Sequence, residues 1–311
     1  MPSIEVRPFQ RSDREQLTGL VNAHIAPVIP GITVSVNTVM SQLEREPSEA
    51  IVDPWVIERR TLVAVDRDAI AAGALLHRFG SDDRVGDDFR NAGEIRWLVC
   101  GPSAVEAGDA LMEACVAAMD EWQVDRQYAE GELPSLAAYG VPECWPHIRA
   151  LYLRHGFVHR GHVEIILVAS VNDLPSTPEV PLPGLILRRS LGAAGTRFSG
   201  VLEDEVVGYI EVELRNDGDP RTRQFGWSDI ANLWVKEDLR RKRIGSWLLG
   251  TAADWLRLGG IQRLLTYAWP EQQDQLAFAA HHGFLELVRT ERGWVREQTS
   301  NVSRLTAAQR D

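Results

Sequence analysis

Arg240-Arg241-Lys242-Arg243 sets four cations in a row directly before Ile244-Gly245-Ser246, where apolar residues at helical spacing predict the start of a helix. A helix N-terminus already carries about half a positive charge from its aligned peptide dipoles. Four cations at that point repel it unless an anion binds between them. The unpaired N–H groups of a first helical turn form a ready phosphate site, and Gly245 lets the backbone approach a ligand with no Cβ in the way. The chemistry suggested is the grip on a diphosphate. The competing reading is a solvated basic cluster, but the position is one where an isolated helix favours Asp or Glu.

The elements that must position this loop recur along the chain. Thr61–Asp66 with Ile70–His77, and Thr196–Leu202 with Val206–Leu214, read as hairpins with polar turns. Gly73 and Gly208 lie in their second strands, 135 residues apart. Apolar strands follow at the same offset, Glu94–Cys100 and Asp229–Val235. Each leads to a long amphipathic helix, Val105–Trp122 and Ile244–Leu258, then a strand, a helix and Gly-Phe at 156–157 and 283–284. Two copies at so long a period indicate a duplicated fold, not a solenoid. Pro175, Pro178, Pro181 and Pro183 mark residues 171–184 as a stiff linker. The expected organisation is an N-terminal domain over 1–170, the linker, and a C-terminal domain over 185–311.

A chain of 311 residues suits two cores. Its charge of −11 argues against a nucleic-acid partner, which needs a broad basic face. No apolar stretch has the roughly 20 residues of a membrane helix. The polar N-terminus is no signal peptide, and Cys100, Cys115 and Cys144 are too scattered for a disulfide framework. A cytoplasmic protein is expected, with no nucleic-acid or membrane partner.

The cationic segment resembles the coenzyme A pyrophosphate loop of the GNAT acetyltransferases, Q/R-x-x-G-x-G/A. Arg240 stands at its first position and Gly245 at its last. Arg243 replaces the inner Gly, at a cost on the order of 1 kcal/mol if that position needs positive φ. The resemblance implies an α/β (α+β) fold of two tandem GNAT-like domains, each a mixed, mostly antiparallel sheet flanked by helices. It implies that Arg240, Arg241, Lys242, Arg243, Ile244, Gly245 and Ser246 hold the diphosphate of acetyl-CoA. Backbone groups of Leu233, Trp234 and Val235 would bond the pantetheine arm as an added strand does. The implied reaction is acetyl transfer to a primary amine of a small molecule or peptide. Histone acetyltransferases of this superfamily carry a base carboxylate near the position of Asp229, which makes Asp229 the candidate base. A strand-end aspartate facing solvent is the alternative.

Two features depart from the pattern. The family's L-Y-x-x-x-G-F reads Phe278-Ala279-Ala280-His281-His282-Gly283-Phe284, so the usual acid tyrosine is absent and Tyr267 on the preceding strand is the candidate substitute. The N-terminal half keeps Tyr152 in Leu151–Phe157, yet its loop, Pro102 to Gly108, is two residues shorter, has no cation and includes Glu106. That half is expected to have a degenerate cofactor site, with Tyr152 as a packing residue. The absent tyrosine and altered glycine also suit a non-catalytic acyl-CoA-binding or regulatory protein, and the basic loop alone would suit a phosphopeptide or nucleotide module. Glu211 and Glu213 share one strand face, which either lines the acceptor cleft or meets water, with water the slightly favoured reading. Trp234, Trp247 and Trp255 are expected in the core, with Trp227, Trp269 and Trp294 near an acceptor pocket.

Overall fold

The structure is a computed structural model that describes residues 4–44, 54–135, 138–214 and 226–297. The chain forms two compact units. Unit 1 comprises residues 1–163 and 290–311, and unit 2 residues 164–289.

In chain order the elements are β1 (Glu5–Pro8), α1 (Arg14–Val28), α2 (Val36–Leu43), β2 (Val56–Asp66), β3 (Ala69–Phe79), β4 (Ala92–Cys100), α3 (Val105–Glu121), β5 (Arg126–Ala129), β6 (Val141–Pro142), α4 (Pro146–Arg154) and β7 (Phe157–Ser170). They continue as β8 (Ile186–Gly192), β9 (Gly195–Leu202), β10 (Glu205–Leu214), β11 (Trp227–Val235), α5 (Ile244–Leu258), β12 (Arg263–Ala268), α6 (Gln273–His281) and β13 (Leu285–Arg296).

Unit 1 has the sheet order β1-β2-β3-β4-β5-β13, with β6 also on β13. Among its described strands, β4 and β5 are the parallel pair. Unit 2 has the order β7-β12-β11-β10-β9-β8, with β11 and β12 its one parallel pair. The sequence spacing is thus realised as two copies of one sheet plan. In β9–β10, Glu203 and Asp204 both take positive φ, as a two-residue hairpin turn of the twist-matching kind requires.

Packing follows the pattern. Val207, Ile210 and Val212 of β10, Ile230 of β11 and Leu264 of β12 form one buried cluster with Ile244, Trp247, Leu248 and Leu256 of α5. Strand alternation therefore turns the neighbouring residues of these strands to the opposite face.

The division differs from the expected halves in two respects. Residues 165–170 of β7 pair with β12 and, with Glu164, belong to unit 2. Residues 290–296 of β13 pair with β5 and β6 and belong to unit 1. Each sheet is closed by a strand that follows the other copy's helices in the chain. The proline-rich stretch 171–184 consequently lies inside unit 2. Val171 and Leu174 join its core, and Thr177 donates to Asp254 of α5 through both its backbone N–H (2.9 Å) and its hydroxyl (2.5 Å).

Candidate active site at the fork of unit 2

Strands β11 and β12 pair only at Trp227, Ser228 and Asp229, opposite Arg263, Leu264 and Leu265. Beyond Asp229 they part. Lys236 N–H donates to Val207 O at 2.9 Å, and Val235 and Leu233 stand opposite Gly208 and Ile210. Antiparallel alternation then turns the backbone groups of Trp234 toward β10 and those of Leu233 and Val235 toward the open fork. The Val235 carbonyl there accepts from Arg240 Nε at 3.2 Å. Ala231 is an extra residue in β11, a bulge between the pairs Asn232–Glu211 and Ile230–Val212, which redirects the strand at the point of parting.

The cationic loop follows. Arg240, Arg241, Lys242 and Arg243 are all exposed, and among the described residues no carboxylate pairs with them, whereas Lys236 just upstream is paired with Glu205 at 2.8 Å. Arg243 is the N-cap of α5 at φ +66°, and Arg241 lies at φ +60°. Two bulky residues thus hold the left-handed conformation that favours glycine, at roughly 1–2 kcal/mol each. The α5 N-terminus has no side-chain cap and no acidic residue in its first turn. The first-turn N–H groups of Ile244, Gly245 and Ser246 have no acceptor within the helix. A Cβ on Gly245 would come 3.3 Å from the Phe278 ring, so this glycine lets α6 pack closely against α5. Ser246 Oγ is 3.0 Å from His282 Nε2, which ties the loop to the end of α6.

At the fork itself, Tyr267 donates its hydroxyl to Asp229 Oδ2 at 3.1 Å. The two candidate proton-transfer residues, far apart in sequence, meet where the strands separate. Asp229 is buried and does not face bulk solvent.

Residues 172–284 match the model of the acetyltransferase (GNAT) family. This region is a GNAT domain. Across the whole chain the fold is that of tandem GNAT proteins. A tandem GNAT protein of the clavulanic acid biosynthesis pathway superposes with a TM-score of 0.68 at 14% identity, over 95% of this chain and 98% of its own. A GCN5-related N-acetyltransferase from Sphaerobacter thermophilus gives 0.60 at 12% identity, over 94% of both chains. A glucosamine N-acetyltransferase region in a fungal multi-domain GH3 β-N-acetylglucosaminidase gives 0.67 at 14% identity over 94% of this chain, which spans only 38% of that longer protein. No curated protein matches the sequence.

Other parts of the GNAT domain differ from the sequence reading. Glu211 is fully buried rather than facing water. Its carboxylate accepts from Arg197 Nε (2.6 Å), Asn232 Nδ2 (2.8 Å) and Ala193 N–H (3.1 Å). Burial alone would raise its pKa, but the bonds from Asn232 and Arg197 outweigh that and hold it below the ordinary carboxylate value. Gly192 makes this possible, since a Cβ there would lie 2.0 Å from Glu211 Oε1. Trp234 is 40% exposed rather than in the core; it leans on Tyr209, over whose ring the Arg197 guanidinium sits at 4.3 Å. Outside that domain, Trp294 is buried in unit 1 against Tyr152.

In unit 1 the strand end equivalent to Val235 is Cys100, 135 residues earlier. Its backbone is occupied by side chains. Leu20 O, 3.0 Å from His24 Nδ1, fixes the proton on that nitrogen, so His24 Nε2 accepts from Cys100 N–H at 3.3 Å. His147 Nε2 donates to Cys100 O at 3.1 Å, and Trp145 Nε1 donates to His24 O at 3.0 Å. Burial pushes the His24 pKa down to about 4, so the ring is neutral near pH 7. The sequence holds a faint signal of this plug in Trp145-Pro146-His147, but the partners lie 76 and 47 residues apart.

Proposed function

We propose that the protein is an acetyl-CoA-dependent N-acetyltransferase whose working site is the fork of unit 2. One observation carries the reading: the open strand fork leads directly into an uncapped helix start bearing four cations that have no carboxylate partner among the described residues. Arg240–Ser246 hold the diphosphate, and the fork-facing backbone of Leu233 and Val235 holds the pantetheine. Arg240 swings off the Val235 carbonyl to reach a phosphate and frees that acceptor.

The acceptor is a primary amine of a small molecule or peptide. Its nitrogen attacks the thioester carbonyl, the C–N bond forms and the C–S bond breaks. Asp229 takes the surplus proton from nitrogen, Tyr267 gives its hydroxyl proton to the departing thiolate, and Asp229 returns a proton to Tyr267 across their hydrogen bond. Tyr267 thereby fills the role of the tyrosine that Ala279 replaces. The family match at 172–284 supports acyl transfer in general; the acetyl donor and the amine acceptor are part of the proposal.

The test is titration calorimetry with acetyl-CoA, followed by thiol release over a panel of primary amines. Binding with turnover on at least one amine is expected. Binding without turnover on any amine replaces the enzyme with an acyl-CoA-binding protein, and absent binding removes the reading altogether.

A further inference from the structure

One titratable group beside the cationic loop has no part in the acetyl transfer. His282 follows the last turn of α6. Gly245 has no Cβ, so the Phe278 ring settles against the first turn of α5, where a Cβ would stand 3.3 Å from it. The His282 imidazole lies edge-on to that ring, with the centroids 4.6 Å apart, and Gly283 then turns the chain away at φ +79°. Phe278 thus seats the imidazole beside the start of α5, with Nε2 3.0 Å from Ser246 Oγ. Ser246 and His282 are both partly buried, so the pair borders solvent without being immersed in it.

Ser246 is the third residue of α5, so its hydroxyl stands beside backbone N–H groups that have no helical acceptor. What that hydroxyl offers an anion depends on the imidazole. A neutral ring can accept at Nε2, and the Ser246 proton then points at the ring. An imidazolium has a proton on both nitrogens. Its Nε2–H must donate to Ser246 Oγ, which turns the hydroxyl proton outward as a donor. It also adds a fifth positive charge to Arg240, Arg241, Lys242 and Arg243. Burial, and then the charge of His281 with its ring 4.9 Å away, hold the His282 pKa below the ordinary histidine value. On the α5 side the charged groups are the four loop cations, and on its own helix His281. Among the described residues no carboxylate forms an ion pair with His282, and nearby Glu286 is paired with Arg289 at 2.7 Å.

We propose that Ser246 and His282 make a proton-linked contact to the diphosphate, so that the coenzyme binds together with a proton taken up by the imidazole. This rests on the coenzyme reading of the fork. The diphosphate supplies the negative charge that no side chain gives His282, and it favours the charged ring. The pKa of His282 is therefore higher in the complex than in the free protein. Affinity rises as pH falls through the value in the complex and levels off below the value in the free protein. His282 acts through Ser246 and is a positioning residue.

The test titrates acetyl-CoA into the full-length protein by calorimetry at about pH 7.5 and about pH 5.5, across the range where histidine changes charge. Two buffers of different ionisation heat are used at each pH. The 3′-phosphate of the coenzyme titrates in this range as well, so each variant is read against the wild type, where that contribution is the same. The wild type should take up more protons than His282→Gln and gain about tenfold more affinity on acidification, as a rise of about one pKa unit gives. At the higher pH the two should bind alike. Ser246→Ala should lose most of the excess, and it decides alone should His282→Gln fail to fold; His281→Gln should keep the excess. Equal pH dependence in wild type and variant, or an excess lost only with His281→Gln, would overturn the proton link and leave the coenzyme reading standing. A uniform loss of affinity in His282→Gln at both pH values would make the imidazole structural and overturn it too. Absence of binding by the wild type at either pH would remove both readings.

Discussion

In unit 2 the parallel strands β11 and β12 separate after Asp229, and the backbone beyond faces an open fork. In unit 1 the equivalent strands β4 and β5 stay joined further along, because Glu130 N–H donates to Ile95 O and Glu132 N–H to Arg96 O. At the strand end, unit 2 offers Val235 and a cationic loop, whereas unit 1 fills the same place with His24 and His147. Both copies contain the bulge, at Ala231 and at Arg96. The comparison teaches that backbone polarity at the end of this strand must be answered in either copy. In unit 1 two imidazoles from distant helices are the answer and leave the sheet intact; in unit 2 the coenzyme of the proposed function would be the other.

The strongest way to break this comparison is to remove the chemistry from unit 2. Asp229→Asn should lower kcat for amine acetylation by about 100-fold or more, with acetyl-CoA affinity unchanged by calorimetry. A variant of near wild-type rate would take the base role away from Asp229. Reversing charge with Arg240→Glu and Arg241→Glu should weaken CoA binding by at least about 100-fold, consistent with the loss of two charge-assisted contacts. Circular dichroism should show the fold retained, since both side chains are exposed. Unchanged affinity would mean that the diphosphate rests elsewhere.

The imidazole plug gives a smaller effect of predictable sign. His24 is held neutral, with its folded pKa near 4 against an ordinary value of 6.5. As pH falls through 6.5 the unfolded chain takes up a proton that the folded chain refuses, so stability is lost down to about pH 4 and then levels off. The loss is about 3 kcal/mol. Denaturant melts at pH 7 and pH 4 should therefore differ more for the wild type than for His24→Gln by about that amount; equal differences would show that the ring does not carry the effect. The smallest change sharpens the loop. Arg243→Gly should relieve its left-handed backbone and raise stability by about 1 kcal/mol, while CoA affinity drops less than tenfold. A loss of stability would show that the arginine is not strained there.

What could be read from the sequence was local. Hairpins, the strand before the loop, and a helix start crowded with arginines all rest on residues a few places apart, where period and turn chemistry act directly. What escaped was set by distance. Nothing in Phe157–Ser170 or Leu285–Arg296 marks which sheet each strand will close, because β propensity says only that a strand forms. Glu211 alternates like any solvent-facing carboxylate, and only the hairpin at Gly192 and Ala193 folded over it makes it internal. Trp234 was misplaced by its neighbours' apolar character, since a strand beside an open fork leaves one face uncovered. Tyr267 could be named but not aimed, as its meeting with Asp229 depends on the β12 register.

The late return of β13 to unit 1 bears on how the protein is made. A nascent chain ordinarily completes its first domain while the second is still being synthesised. Here the N-terminal sheet waits for residues 290–296, which leave the ribosome on the order of ten seconds after residue 163 at ordinary translation rates. During that interval β5 has an unsatisfied edge, so C-terminal truncation should harm the first-made half of the molecule, and a stop codon before Thr290 should yield aggregates instead of a shorter folded protein.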